Sequence, residues 1–224
     1  MISKKSKLSA RKKRAGKLLK ALKKLFPHAG MALRYGNNWE LLVAVMLSAQ
    51  CTDKKVNEVT ERLFKKYRTL DSYAGAKTSE FEKDIHSTGF FFFLTKNIIA
   101  PANMIKEKFG GNVPRTMAEL LTLPGVARKT ANVVLGNAYG VVEGIAVDTH
   151  VRRFARKFDL TDSSDPKKIE EDLMKLFPKK EWFLLTYRLI EYGRQICPAL
   201  RHDCAEHPLT RIYPEAAHSF PRAK

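Results

Sequence analysis

Apolar positions along this 224-residue chain recur mostly at spacings of three and four, the period of one helical face. From Arg11 to Phe26, Leu18, Leu19, Leu22, Leu25 and Phe26 fall on one side and lysines on the other, which predicts an amphipathic helix closed by Pro27. Residues 39–48 are too uniformly apolar for a surface helix and predict a buried one. Thr52 or Asp53 can cap the next helix, 54–67, whose Val56, Val59, Leu63 and Phe64 share a face. A short helix around 79–85 stops before Gly89. Four consecutive phenylalanines, Phe90 to Phe93, then lead into a helix over 96–109, and Gly110-Gly111 with Pro114 break the chain. Later helices are predicted over 151–158, from Asp165-Pro166 to Phe177, and over 182–196. Residues from Pro198 onward read as loop. No β-branched alternation is long enough for a strand and no internal repeat is found, so the fold class is all-α.

Between two of these segments lies Leu123-Pro124-Gly125-Val126-Ala127-Arg128-Lys129-Thr130-Ala131. Proline fixes φ and glycine permits φ > 0, so the backbone turns here. Helical spacing on both sides, Leu120 and Leu123 before and Ala131, Val134 and Leu135 after, predicts a helix, a tight hairpin and a second helix over about 116–135. Backbone N–H groups at such a turn and helix start are unpaired and suit a phosphate. Lys129, in the first turn, is on these grounds either a solvated lysine or a nucleophile beside a bound phosphate backbone.

Charge narrows the partner. Lys and Arg number 41 against 23 Asp and Glu, a formal net charge of +18, which calls for a polyanion, either nucleic acid or an anionic membrane surface. No apolar run is long enough to span a bilayer, and the N-terminus lacks a signal peptide's apolar core and cleavage site. Three cysteines, Cys51, Cys197 and Cys204, make no secreted disulfide framework. The expectation is an intracellular nucleic-acid-binding protein, cytoplasmic and nucleoid-associated or, in a eukaryote, nuclear. Residues 1–24 hold eleven Lys or Arg and no acid. Lys4, Lys5 and Lys7 are expected in a mobile tail, and the basic helix face after Arg11 to lie on DNA, on a membrane surface or in water, or to act as a nuclear import signal.

The hairpin sequence, with Val147-Asp148-Thr149-His150 placing Asp148 nineteen residues after Lys129, resembles the helix-hairpin-helix DNA glycosylases. Leu47-Ser48-Ala49-Gln50-Cys51-Thr52-Asp53 and Tyr192-Gly193-Arg194-Gln195-Ile196-Cys197 match the same family, so four blocks stand in register over roughly residues 15–204. The resemblance implies two helical domains with a DNA-binding cleft between them. Residues 30–142 would form a six-helix domain carrying the hairpin; residues 1–29 with 143–224 would form the second. It further implies a monomeric base excision repair enzyme acting on double-stranded DNA with a damaged base or abasic site, with no membrane partner. Such an enzyme removes oxidised pyrimidines as a glycosylase and nicks the strand as an abasic-site lyase.

By that resemblance Lys129 is the nucleophile. One amine can do both steps by attacking C1′ and forming a Schiff base that acidifies the 2′ proton for β-elimination. Asp148 is the carboxylate partner, stabilising oxocarbenium-like charge or helping to deprotonate the amine. It also precedes an apolar-periodic run and would serve as a helix N-cap, and both roles can hold together. Gly125, Val126 and Ala127 carry the phosphate clamp through their amides, flanked by Arg128, Thr130 and His150 as DNA contacts. Family members mostly have a second glycine where Ala127 stands; φ > 0 there would cost alanine about 1 kcal/mol, so φ < 0 is expected. Gln50 fills the gap left by the extruded base, its alternative being a buried, hydrogen-bonded glutamine. Phe90 takes the place of a second wedge. Not all four phenylalanines can be core on a helix, but core packing is expected to account for most of them.

Cys197 and Cys204 have six residues between them, as do the first two ligands of the family's four-cysteine iron–sulfur loop. The next two positions of that pattern fall on His207 and Tyr213. With two of four thiolates present, the expectation is no cofactor, Cys197 and Cys204 being remnants of that loop. Zinc bound by Cys197, Cys204 and His207 with His202 or His218 stays open, although the spacing is not that of a zinc finger. Two rival functions also stand: a monofunctional glycosylase, whose known adenine-removing examples lack the lysine, and a non-catalytic DNA-binding repair scaffold, which would need neither Lys129 nor Asp148.

Overall fold

The computed structural model describes residues 4–220, and among these the regular structure is helical without a strand. No described helix is long and apolar enough to cross a membrane. The chain divides into two compact units, one holding Ala32–Glu143 and the other the residues up to Met31 and from Gly144 onward.

The unit of residues 32–143 is built around helix α2, Asn38–Leu47. Every residue from Leu41 to Leu47 is buried, because neighbours pack on several sides of this helix, as its lack of a polar face requires. Asn37 caps it, accepting from the Glu40 amide at 2.9 Å. Thr52 caps α3, Asp53–Lys66, whose Val56, Val59 and Leu63 face inward. Helices α4, Leu70–Ala74, and α5, Thr78–Ile85, pack on α6, Phe91–Lys108. At their centre Tyr73 meets Trp39 and Tyr67 at ring separations of 5.3 and 5.2 Å. Helix α6 begins at Phe91 rather than at 96, so Phe91 to Phe93 lie in its first turn and only Phe90 precedes it. It also contains Pro101, which has no N–H for the Asn97 carbonyl one turn earlier. Helices α7, Met117–Leu120, and α8, Arg128–Tyr139, are the two arms of the hairpin, and α8 packs on α2.

The other unit is a four-helix cluster. Helix α1, Lys4–Leu25, lies against α10, Pro166–Leu176, and α11, Trp182–Gln195, and α11 also packs on α9, Thr149–Lys157. Leu18, Leu22 and Phe26 of the N-terminal segment meet Phe154, Phe158, Leu173 and Tyr192 in one core. The helix runs from Lys4, so the mobile tail expected over Lys4 to Lys7 is instead its first turn. Lys7 Nζ lies 2.7 Å from Asp162, and Arg11 reaches both Asp162 and Asp159. Arg14 also holds Asp159, whose backbone is in the left-handed region at φ +43°. Part of the basic face is therefore used inside the fold.

Candidate functional site

The hairpin turn is closed by the Val126 amide donating to the Leu123 carbonyl at 3.1 Å. Its own amide thus serves the turn, while those of Gly125 and Ala127 make no hydrogen bond among the described residues. Gly125 has φ +75°, and a Cβ built there would stand 2.6 Å from the Asn97 Cβ. Conformation and space each demand glycine. Ala127 is the N-cap of α8 with φ −90° and offers no side-chain cap. The first amides of α8 consequently face outward without a capping side chain, the arrangement that favours an anion. Arg128 and Lys129 follow, both half-buried, and Thr130 is buried. The Lys129 amine makes no hydrogen bond or ion pair among the described residues.

In the same unit Gln50 is exposed in the turn between α2 and α3, so the buried, hydrogen-bonded alternative does not hold. Phe90 precedes α6 at φ +48° and is 65% exposed; Phe92 and Phe93 are 63% and 65% exposed. The expectation that core packing accounts for most of the run is corrected. Helical geometry turns the first turn of α6 outward and buries Leu94 and Ile98 behind it. Asn97 was not anticipated. Nothing in its spacing announces it, since its importance arises only where α6 meets the turn.

In the other unit Asp148 is the N-cap of α9, its Oδ1 accepting from the Val151 amide at 2.8 Å. The cap fixes the carboxylate rotamer at the helix start. His150, in the first turn of α9, is half-buried and packs so closely on Gly193 of α11 that a Cβ there would collide with its ring.

The expectation of no bound cofactor is overturned. Ligand atoms of Cys197, His202, Cys204 and His207 all lie within 4.8 Å of one another, a grouping able to hold a metal ion. The two cysteines are buried and free of a disulfide. His202 is the ligand that a four-cysteine pattern does not locate. The last position of that pattern, Tyr213, lies with its ring beneath the Arg14 guanidinium, 3.9 Å from ring centroid to carbon. Two thiols and two imidazoles are not the four thiolates of the cubane cluster, so these residues do not fit that group.

Residues 43–179 match the family described as HhH-GPD superfamily base excision DNA repair protein. The chain is 48% identical over 210 residues to an endonuclease III of Synechocystis sp., covering 94% of this chain and 96% of that protein. Two solved structures of endonuclease III, one in a non-covalent DNA complex and one a trapped covalent DNA intermediate, are each 43% identical. They superpose with TM-scores of 0.86 and 0.87, over 92% of this chain and 96% of theirs.

Proposed function

The chain belongs to the HhH-GPD superfamily of base excision DNA repair proteins, a DNA glycosylase with abasic-site lyase activity on duplex DNA, and we propose that it removes oxidised pyrimidines through a Schiff base on Lys129. The observation that carries this reading is the Lys129 amine itself. It stands in the first turn of α8, directly after the hairpin, with no intramolecular partner among the described residues.

In the proposed sequence the amides of Gly125, Ala127 and the start of α8 hold a phosphate of the lesion strand, with Arg128 and His150 adding contacts to the strand. The Nζ of Lys129 attacks C1′ and the bond to the base breaks, its electron pair leaving with the base. The nitrogen lone pair then forms an iminium as the C1′–O4′ electron pair passes to the ring oxygen, which takes up a proton. The 2′ proton is lost to water and the 3′ phosphate departs with the C3′–O electron pair by β-elimination. The Asp148 carboxylate, held by its cap, offsets positive charge at C1′ or takes the proton of the attacking amine. Gln50 and Phe90 fill the vacated stack. The trapped covalent intermediate known for endonuclease III supports an attacking group of this kind.

The test is a panel of duplexes carrying thymine glycol, dihydrouracil, uracil or a mismatched thymine, with base release scored separately from nicking. Coupled release and nicking on the two oxidised bases is expected. Release without nicking would point to a monofunctional enzyme. Asp148→Asn still caps α9; it should lose roughly 10²–10³ in rate, the scale seen when one electrostatic partner is removed. Undiminished activity would leave Asp148 as a cap alone.

A further inference from the structure

We propose that Cys197, His202, Cys204 and His207 bind one zinc ion in tetrahedral coordination, as two thiolates and two neutral imidazoles. The site lies in the segment between α11 and the 3₁₀ turn at Pro214–His218, where regular structure is sparse.

Three observations carry it independently of the proposed DNA chemistry. The first is convergence. Zn–S bonds of about 2.3 Å and Zn–N bonds of about 2.0–2.1 Å put tetrahedral donors less than about 4 Å apart. The four donors here lie within 4.8 Å, so binding needs a contraction of about 1 Å, within the freedom of loop side chains. A cubane places four irons and four sulfides between its ligands, and a two-iron cluster separates its thiolate pair from its imidazole pair; neither suits four donors so close together.

The second is the state of the imidazoles. His202 Nδ1 lies 2.6 Å from the Leu200 carbonyl. That carbonyl accepts from Nδ1–H, which leaves Nε2 with a lone pair, the outer-sphere arrangement typical of metal-bound histidine. The same Nε2 is buried with no hydrogen-bond partner, and so is Nδ1 of His207. A buried polar atom left unpaired is costly, and two in one group with two thiols are accounted for together by a cation.

The third is the surrounding charge. Lys157 Nζ is 3.3 Å from Cys204 Sγ and otherwise donates to the Ala216 and Ser219 carbonyls. Arg153 Nη1 is 3.8 Å from Cys197 Sγ, and its Nη2 donates to the Cys197 carbonyl. Both cations are buried. Two buried cations on two sulfurs match anionic ligands, which zinc binding would supply by releasing the two thiol protons. A tetrahedral S₂N₂ donor set points to zinc or to an iron–sulfur group, and the closeness of the four donors favours zinc.

Full-length protein, expressed with iron and zinc both supplied, is analysed for metals and acid-labile sulfide. One zinc per chain and no labile sulfide is expected; iron with sulfide, a Cys197–Cys204 disulfide, or no stoichiometric metal would overturn the proposal. Exchange for Co²⁺ should give the intense visible d–d bands of a tetrahedral site with thiolate-to-cobalt charge transfer. Octahedral-type weak bands would contradict it. His202→Asn should weaken Co²⁺ binding by more than the roughly 10–100-fold that loss of an outer-sphere partner causes. His207→Cys should keep the metal and strengthen the charge-transfer band, and an unchanged spectrum would exclude His207 as a ligand. Should either variant fail to fold, the wild-type metal count and cobalt spectrum decide alone.

Discussion

Position 125 shows how the absence of one side chain can decide whether the hairpin turn forms. An alanine there would adopt a left-handed backbone at about 1–2 kcal/mol and press its Cβ against Asn97, whose own Cβ is the nearest atom at 2.6 Å. Shortening Asn97 to alanine removes only the outer atoms and leaves that collision. Gly125→Ala is therefore expected to lower the melting temperature and weaken binding to an abasic duplex, and Asn97→Ala in the same chain should not restore either. Normal stability and binding of Gly125→Ala would show that the turn tolerates a Cβ. The adjoining change from the commoner glycine to Ala127 is harmless for the opposite reason: at φ −90° no left-handed conformation is asked of it. The glycine requirement was legible from the Pro-Gly pair. The partner enforcing it was not, because Asn97 sits on another helix and its spacing matches any solvated asparagine.

Among the elements, α1 depends most on charge. Beyond its apolar stripe, Lys23 donates to Glu181 at 2.7 Å, and Glu181 also accepts from the buried Arg188 at 2.7 Å. Burial alone would raise the Glu181 carboxyl, but the hydrogen bonds from Lys23 and Arg188 outweigh it and hold it below the usual range. A depressed carboxylate contributes stability above its ordinary pKa and loses it as pH falls through the lower, folded value. Removing one partner of a buried ion pair costs about 3–5 kcal/mol. Glu181→Gln, which keeps hydrogen-bonding atoms, should fall at or below the lower end of that range at pH 7. In denaturant titrations its deficit should shrink as the carboxylate of the parent protein becomes protonated; a deficit independent of pH would show that charge is not what Glu181 supplies. Periodicity located α3, α10 and α11 well, since each has one apolar face. It placed the start of α1 late and the start of α6 late for one reason. Lys-rich and Phe-rich turns carry no alternation, and their helicity comes from Asp159 and Asp162 in one case and from continuity with Leu94 and Ile98 in the other.

Over the whole molecule, a net charge of +18 implies attraction to the DNA backbone that weakens as salt rises. That part of the function was readable from composition. The hairpin was readable from motif blocks, which also singled out Lys129, Asp148 and Gln50 as candidates. The metal-binding group was legible only as an alternative, with His202 or His218 completing Cys197, Cys204 and His207, because a four-cysteine template looks for sulfur at fixed spacing and led to the expectation of no cofactor. His202 lies outside that spacing and is brought to the thiols only by the fold. The exposure of Phe92 and Phe93 escaped for a related reason: an apolar run reads as core until a helix register decides which residues point outward. The central claim is that Lys129 is the nucleophile. Borohydride reduction during reaction with an abasic duplex, followed by peptide mass mapping, tests it directly. One DNA adduct on Lys129, absent from Lys129→Ala, is the predicted result. An adduct on another amine, or trapping that persists in Lys129→Ala, would contradict it.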